Sequence, residues 1–351
     1  MKILILIHKL YGGGAERVAT ILANHLCQKH DVTIVVNANN LPPFPIDNRV
    51  KIVTIPYKIK IRYTFTIQTF MFVSRMIKKE NTDLIISFLI GKNIQTILLN
   101  LFTKKKLIIS ERTSTLRNKP MWRLARKYLY PLASHVVYVS QCDYEYHSHI
   151  KNKSAIHNPA ILEPYSNYSN RSKSILAVGA LYRWKIKGYD MLLKAWYNLA
   201  NKYPDWTLEI LGKTSPNPIE KKIKKYNLQG RIKFLDYTTK PEDIYRDKSI
   251  FVLTSRFEGC PNSLIEAMSQ GCACLANNCP SGPHEIINNG IDGLLSEYNN
   301  VEDFTNKLAL LIEDYELRKR LSSEATKITQ KFNKEAIMQK WDDVIASVCS
   351  E

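Results

Sequence analysis

No apolar run in this chain reaches the ~18–20 residues that a helix needs to cross a bilayer, which excludes a conventional membrane span. No D-x-D triplet occurs either, so a diphosphate-bound divalent ion has no obvious carboxylate cradle. The seven cysteines, an odd count, show no metal spacing. Cys272 and Cys274 form a CxC near Cys279 without a second CxxC or a histidine partner, and they read as small buried residues of a reducing cytoplasm. No G-x-S-x-G marks a serine hydrolase. The histidines are scattered, and His147 and His149 are spaced for different helix faces. Acid is scarce in one half: residues 1–165 carry 24 Lys and Arg against 9 Asp and Glu, net +15, while the remainder has 26 against 23, net +3. A field that one-sided suggests an extended anionic surface, membrane or nucleic acid, rather than a lone mononucleotide. The start, MKILILIHKLYGGGAER, has too short an apolar core for a secretion signal and reads as a first strand. A soluble or peripheral protein is expected.

The chain does have the length and apolar content for two cores: 351 residues, 45% hydrophobic. Strand-like runs alternate with helical patterns. The first half shows strands at Lys2–Ile7, Val32–Asn37, Val50–Ile55, Asp83–Phe88, Lys106–Ser110 and His135–Val139, with helices at Ala15–Leu26 and Thr64–Lys79. A polar Pro/Asn/Ser-rich stretch, Asn158–Ser174, reads as a linker. Strands then resume at Ser174–Val178, Thr207–Leu211, Ile232–Leu235, Ile250–Leu253 and Ala273–Ala276, with a helix at Tyr189–Tyr203 and an amphipathic end at Phe332–Val348. Nearly all-apolar strands separated by helices imply parallel sheets covered on both faces. The expected architecture is α/β: two doubly wound Rossmann-like domains, residues 1–165 and 166–331, facing across a cleft at the carboxyl ends of their strands. Residues 332–351 should form a helix that packs back toward the first domain.

Glu258 and Glu266 bracket the richest segment, Arg256–Met268, RFEGCPNSLIEAM. It follows an apolar strand, turns through Gly, Pro and Asn, and enters a helix. Backbone N–H groups converge at such a helix start and hold anions, while two carboxylates suit sugar hydroxyls; together they point to a nucleotide-sugar. The plain alternative makes Glu258 a helix-start acid and leaves Glu266 in solvent. Gly12–Gly13–Gly14 follows the first strand and suits close approach of a ligand. A dinucleotide fingerprint would need glycine where Arg17 stands and an acid where Asn37 stands, which disfavours a nicotinamide enzyme. The loop Gly179–Gly188, GALYRWKIKG, offers Arg183, Lys185 and Lys187 as a phosphate clamp, or is simply a solvated basic loop. On a helical wheel, Lys119–Leu132 puts Met121, Trp122, Leu124, Ala125, Tyr128 and Leu129 on one arc, with Arg123, Arg126 and Lys127 on the other. That suits an interfacial helix on anionic lipid, or an arc that covers the first sheet. Arg62, Arg75, Lys78, Lys79 and Lys104–Lys106 add to the basic field.

Taken together, GGGAER, Lys187–Gly188, the E-x7-E element from Glu258 to Glu266, PSGPHEI at 280–286 and NGIDGLL at 289–295 resemble the retaining glycosyltransferases of family four, which have the GT-B fold. The likeness spans nearly the whole chain, and GGGAER, Ser110–Glu111–Arg112 and the basic helix look like bacterial enzymes that build lipid-linked oligosaccharides and surface polysaccharides. The resemblance implies that Glu258 binds donor-sugar hydroxyls, Glu266 the ribose and Lys187 the diphosphate. It also implies that the turn Gly259–Ser263 presents backbone amides to the donor, with Gly259, Cys260, Pro261, Asn262, Ser263, Leu264 and Gly212 in the donor site. Gly13, Gly14, Glu111 and Arg112 would lie on the first domain's side of the cleft, and Trp122, Arg123, Arg126 and Lys127 at the membrane. Ala180 stands where the family usually has Arg, leaving Arg183 or Lys185 to supply the charge; Arg112 stands where many members have His. No cofactor or metal is implied, only a nucleotide-sugar co-substrate, UDP-linked by likeness. The partners are a lipid-linked or glycan acceptor and an anionic membrane surface, at the inner face of the cytoplasmic membrane, with no nucleic acid. Two other classes compete: a non-catalytic polyanion-binding protein, which leaves the two-domain pattern unexplained, and a nucleotide-sugar epimerase.

Overall fold

The computed structural model describes residues 1–37, 44–56, 67–117, 120–212, 217–236 and 240–350. By its contacts the chain forms two compact units, Met1–Asn158 with Glu335–Glu351, and Pro159–Lys334. The first contains strands β1 (Lys2–Leu6), β2 (Asp31–Val36), β3 (Lys51–Thr54), β4 (Leu84–Phe88), β5 (Lys106–Glu111), β6 (His135–Tyr138) and β7 (Lys153–Ala155). The second contains β8 (Ser172–Val178), β9 (Thr207–Leu211), β10 (Ile232–Leu235), β11 (Lys248–Leu253), β12 (Ala273–Asn277) and β13 (Leu294–Ser296).

The sheet orders are β3-β2-β1-β4-β5-β6-β7 and β10-β9-β8-β11-β12-β13. Their strand pairs run parallel. Parallel strands need crossovers that return over the faces, so both faces are covered and the strands read as unbroken apolar runs. Ile3, Ile5, Ile34, Leu84 and Ile86 pack into one core of the first sheet, and Leu4, Leu6, Val35, Ile85 and Ile109 into the other. In the second unit Ile175, Leu208, Ile210, Ile250 and Val252 pack under Trp196 of the helix Tyr189–Ala200. The closing helix Lys334–Ser350 contributes Ile337, Met338, Trp341, Val344, Ile345 and Val348 to the first unit's core, with Trp341 stacked on Phe88 at 6.3 Å.

The structure moves the unit boundary from 165 to 158. Residues 159–165 are tied to the second unit, with the Tyr165 amide donating to the Ser269 carbonyl at 2.9 Å and Gln270 Nε2 donating to the Glu163 carbonyl at 2.6 Å. The polar stretch read as a linker ends early, because its Ser172–Ser174 already belong to β8. Two strands escaped the sequence reading, β7 and β13: each is three residues long at a sheet edge, too short to show a period. The helix expected over Thr64–Lys79 is present at Ile67–Lys79; its first three residues, and Arg62, lie outside the described residues. No helix among the described residues is long and apolar enough to cross a membrane.

Candidate active site

In the second sheet β8 lies beside β11, and this is where the strand order reverses. Segments leaving the carboxyl ends of two such strands diverge to opposite faces and leave a crevice between them. Lys187 arrives on the segment after β8 and Glu258 on the segment after β11. Lys187 Nζ donates to Glu258 Oε1 at 2.7 Å, with the two side chains 18% and 14% exposed. Burial works against ionisation of Glu258, but the charge and hydrogen bond of Lys187, with the charge of Arg183, draw its pKa below the ordinary value. The carboxylate is therefore ionised at neutral pH.

Backbone fit sets this geometry. Gly188 adopts φ +66, and a Cβ there would collide with the Thr254 carbonyl. The two segments thus approach more closely than any other residue permits. Thr254 Oγ1 donates to the Lys187 carbonyl at 2.9 Å, and Arg256 clamps Asp190 through two 2.8 Å bonds. Gly212, at φ +134 after β9, lies against the Gly179 carbonyl, and its own carbonyl accepts from the Leu181 amide at 3.2 Å. It supports the loop that carries Arg183 and Lys187.

After Glu258 the chain turns through Gly259, Cys260 and Pro261 into the helix Asn262–Ser269, whose start has no side-chain cap. The Leu264 N–H, expected to face the donor, instead donates to the Pro261 carbonyl at 3.0 Å, because the helix start closes a turn on it. Ser281 Oγ donates to the Glu258 carbonyl. Leu264 is fully buried. On the same helix Glu266 Oε2 accepts from the Tyr245 hydroxyl at 2.7 Å. Tyr245, Asp190 and Thr254 were not singled out in the sequence, and Ser281 entered only as part of PSGPHEI. They hold backbone and side chains in place, a task that no short motif spells out.

The first-unit candidates are distributed differently. Gly13 and Gly14 open the helix Gly14–Leu26, and the buried Glu16 folds its carboxylate against Gly13. Glu111, at the end of β5, is fully buried. Its Oε2 accepts from Arg126 Nε at 3.0 Å, Arg126 Nη2 at 2.8 Å and the Tyr130 hydroxyl at 2.7 Å, and its Oε1 accepts from Thr113 at 3.0 Å. Arg112 is buried and bonds the Ile156 carbonyl at 3.1 Å and Asn158 at 2.9 Å.

Arg126 corrects the helical-wheel reading. It is 0% exposed, not on an outward basic face, because Glu111 draws its guanidinium inward. Turning that side of the helix Pro120–Leu129 inward leaves Met121, Leu124 and Tyr128 outward, 62%, 56% and 63% exposed. Arg123 and Lys127 are exposed beside them and Trp122 is half-buried. Of the apolar arc, Leu129 packs against the first sheet's core, whereas Met121, Leu124 and Tyr128 do not cover it. Cys272, Cys274 and Cys279 are fully buried, Cys142 and Cys349 half-buried. Among the described residues no group of three or more His, Cys, Asp or Glu could hold a metal.

Two Rossmann-like parallel sheets, with an acid and a lysine meeting at a switch point, define a GT-B type of enzyme. Residues 163–328 match the family described as glycosyl transferases group 1, and residues 12–161 match Glycosyltransferase Family 4. The chain is 30% identical to the amylovoran biosynthesis glycosyltransferase AmsD of Erwinia amylovora, over 98% of this chain and 99% of that protein. It is 27% identical, over 99% of both chains, to the GalNAc-alpha-(1->4)-GalNAc-alpha-(1->3)-diNAcBac-PP-undecaprenol alpha-1,4-N-acetyl-D-galactosaminyltransferase of Campylobacter jejuni. The solved structure of Anabaena HepE in complex with UDP and glucose superposes with a TM-score of 0.82 at 18% identity, covering 99% of this chain and 100% of that one, a likeness of fold. The chain belongs to the family 4 glycosyltransferases, and it is an enzyme.

Proposed function

We propose that the protein moves a hexose or N-acetylhexosamine from a UDP-sugar to a lipid-linked or surface-glycan acceptor, with retention of configuration and without a metal ion, at the cytoplasmic face of the membrane. The observation that carries this reading is the 2.7 Å contact between Lys187 and Glu258 at the switch point of the second sheet. Lys187 and Arg183 place positive charge where a diphosphate leaves, and the start of the helix Asn262–Ser269 adds backbone donors. Glu258 is held ionised to accept hydrogen bonds from sugar hydroxyls, and Glu266, steadied by Tyr245, serves the ribose. In the reaction the bond from the anomeric carbon to the diphosphate oxygen breaks, and a bond to the acceptor oxygen forms on the same face. The acceptor hydroxyl's proton passes to a diphosphate oxygen. Positioning and charge stabilisation carry the rate.

The names of relatives support the choice of substrates. HepE was solved with UDP and glucose. The Campylobacter enzyme is named for a diphospho-undecaprenol-linked acceptor, and other relatives are named for poly(glycerol-phosphate) in Bacillus subtilis and poly(ribitol-phosphate) in Staphylococcus aureus. Membrane contact is supported by the outward Met121, Leu124 and Tyr128 with Arg123 and Lys127 among them. Leu101 and Phe102, 51% and 74% exposed, lie on the adjoining helix Ile90–Thr103. Apolar tips among cations suit an anionic leaflet.

A thermal-shift panel of UDP-, GDP- and ADP-sugars, followed by transfer assays with the best stabiliser, tests the reading. A UDP-sugar should raise the melting temperature most, and Glu258→Ala should lower turnover about a hundredfold or more with the circular dichroism unchanged. Near-wild-type turnover in that variant removes Glu258 from the site. Salt-sensitive nucleic-acid binding without UDP binding overturns the reading as a whole.

A further inference from the structure

The first sheet has a switch point of its own, between β1 and β4. Three side chains from the carboxyl ends of neighbouring strands meet there: His8 after β1, Asn37 after β2, and Lys92 in the first turn of the helix Ile90–Thr103 after β4. Lys92 is 3% exposed, and its Nζ donates to Asn37 Oδ1 at 2.8 Å. The Asn37 amide donates to the His8 carbonyl at 2.9 Å, and Asn37 Nδ2 lies 3.5 Å from His8 Nδ1. Gly91 admits the imidazole, since a Cβ there would stand 3.3 Å from His8 Nε2. The turn that delivers Lys92 is strained, with Leu89 at φ +72.

Among the described residues no carboxylate pairs with Lys92; the carboxylates of the first unit's ion pairs answer other bases. Burial holds its ammonium down to about 8. Burial and then the Lys92 charge hold His8 down to about 4, so the ring is neutral at physiological pH and can donate one N–H. A buried ammonium with a neutral amide for a partner is costly. An anion entering the crevice supplies the missing charge, and a phosphate oxygen suits both an ammonium and a neutral imidazole N–H.

We propose that Lys92, His8 and Asn37 form a phosphate-binding site in the first unit that takes the phosphate or diphosphate of the acceptor. This rests on the glycosyl-transfer reading above. A lipid diphosphate and a polyol phosphate offer the same chemistry, and the binding arm separates them.

Binding of geranyl diphosphate and of glycerol 3-phosphate is measured by calorimetry on wild-type protein and Lys92→Met, with saturating UDP to block the donor site. The variant should bind at least one probe tenfold or more weakly while its affinity for UDP is unchanged, which also reports an intact fold. Loss confined to geranyl diphosphate assigns the site to a lipid diphosphate, and loss confined to glycerol 3-phosphate to a polyol phosphate. Equal affinity of both proteins for both probes overturns the proposal. In transfer assays the KM for a sugar on geranyl diphosphate should rise tenfold or more, with the KM for the same sugar on an octyl glycoside unchanged. An equal rise for both acceptors also overturns it. A wild-type protein that transfers to neither acceptor removes the glycosyl-transfer reading and leaves the calorimetry to decide the phosphate site.

Discussion

Each switch point has a lysine, on opposite sides of the strand reversal in the two sheets, and answers it differently. Lys187, after the first strand of the second sheet, meets the Glu258 carboxylate at 2.7 Å. Lys92, after the fourth strand of the first, meets the amide oxygen of Asn37 at 2.8 Å. In the first case charge balances charge before any ligand arrives, and the carboxylate stays ionised. In the second the ammonium is buried against a neutral amide and a neutral imidazole, with no ion-pair partner among the described residues. Lys187 lies in the turn before its helix and Lys92 in the first turn of one, and the partners differ in charge. A paired lysine suits a group that must be shared with a transient charge in the reaction, whereas an unpaired one suits a ligand that brings its own charge and is only held.

The cost of breaking a buried pair in this fold is the quantity on which that contrast turns, and Arg126–Glu111 measures it away from both switch points. Both side chains are almost wholly buried and bonded at 2.8 Å. Arg126→Met leaves Glu111 with the Tyr130 and Thr113 hydroxyls alone, and should destabilise the protein by about 3–5 kcal/mol in denaturant unfolding. Replacing Glu111 by Met as well should recover most of that loss. An Arg126→Met protein as stable as wild type would mean that burial here is cheap for charge, and the argument from Lys92 would lose its footing.

Next in size is the alkaline response of Lys92. Its pKa of about 8 in the folded protein lies below the ordinary 10.5. Between those values the unfolded chain binds more protons than the folded one, so stability rises with pH through the window and is flat below it. At about 1.4 kcal/mol per unit, the gain is roughly 3 kcal/mol. His8, the ring that faces Lys92, is held near 4 and is already neutral throughout. Lys92→Met should therefore be more stable than wild type at pH 7, with the gap closing toward pH 10.5, as read from unfolding midpoints at matched pH. Other groups titrate in that range, but they cancel in the difference between the two proteins. A gap that does not change with pH would show that Lys92 is not the desolvated group inferred here.

The fold was largely legible because parallel strands buried on both faces leave unbroken apolar runs, as at Leu84–Phe88 and Lys248–Leu253. Of the candidate site, the sequence offers Lys187 and Glu258 singly and does not show that they meet. Lys187 and Glu258 stand 71 residues apart, and only the neighbouring of β8 and β11 brings them together. Arg126 was misread because a helical wheel ranks side chains by polarity alone. It cannot register a carboxylate 15 residues earlier that outbids water for the guanidinium. Lys92 passed unnoticed for a related reason. A lysine in the first turn of a helix looks like an ordinary surface cation until the strand order shows that it follows the switch strand. A lysine within a few residues of a strand's carboxyl end is the signal that could have marked it.

The smallest effect concerns the outward face of the helix Pro120–Leu129, in the half of the chain whose net +15 over residues 1–165 contrasts with the net +3 of the remainder. Arg123 and Lys127 are exposed cations beside Met121, Leu124 and Tyr128, whereas Arg126 between them is buried. Neutralising either exposed cation with Gln should weaken flotation with phosphatidylglycerol vesicles by about 1 kcal/mol, roughly fivefold, and the loss should shrink in high salt. Neither change should move the unfolding midpoint, since an exposed surface charge carries little stability. Arg126→Met should do the reverse, lowering stability far more than it alters binding to vesicles at temperatures where the protein is folded. Equal losses of flotation from all three positions would mean that the helix meets lipid through its whole circumference, and the inward turn of Arg126 would not describe the membrane-bound state.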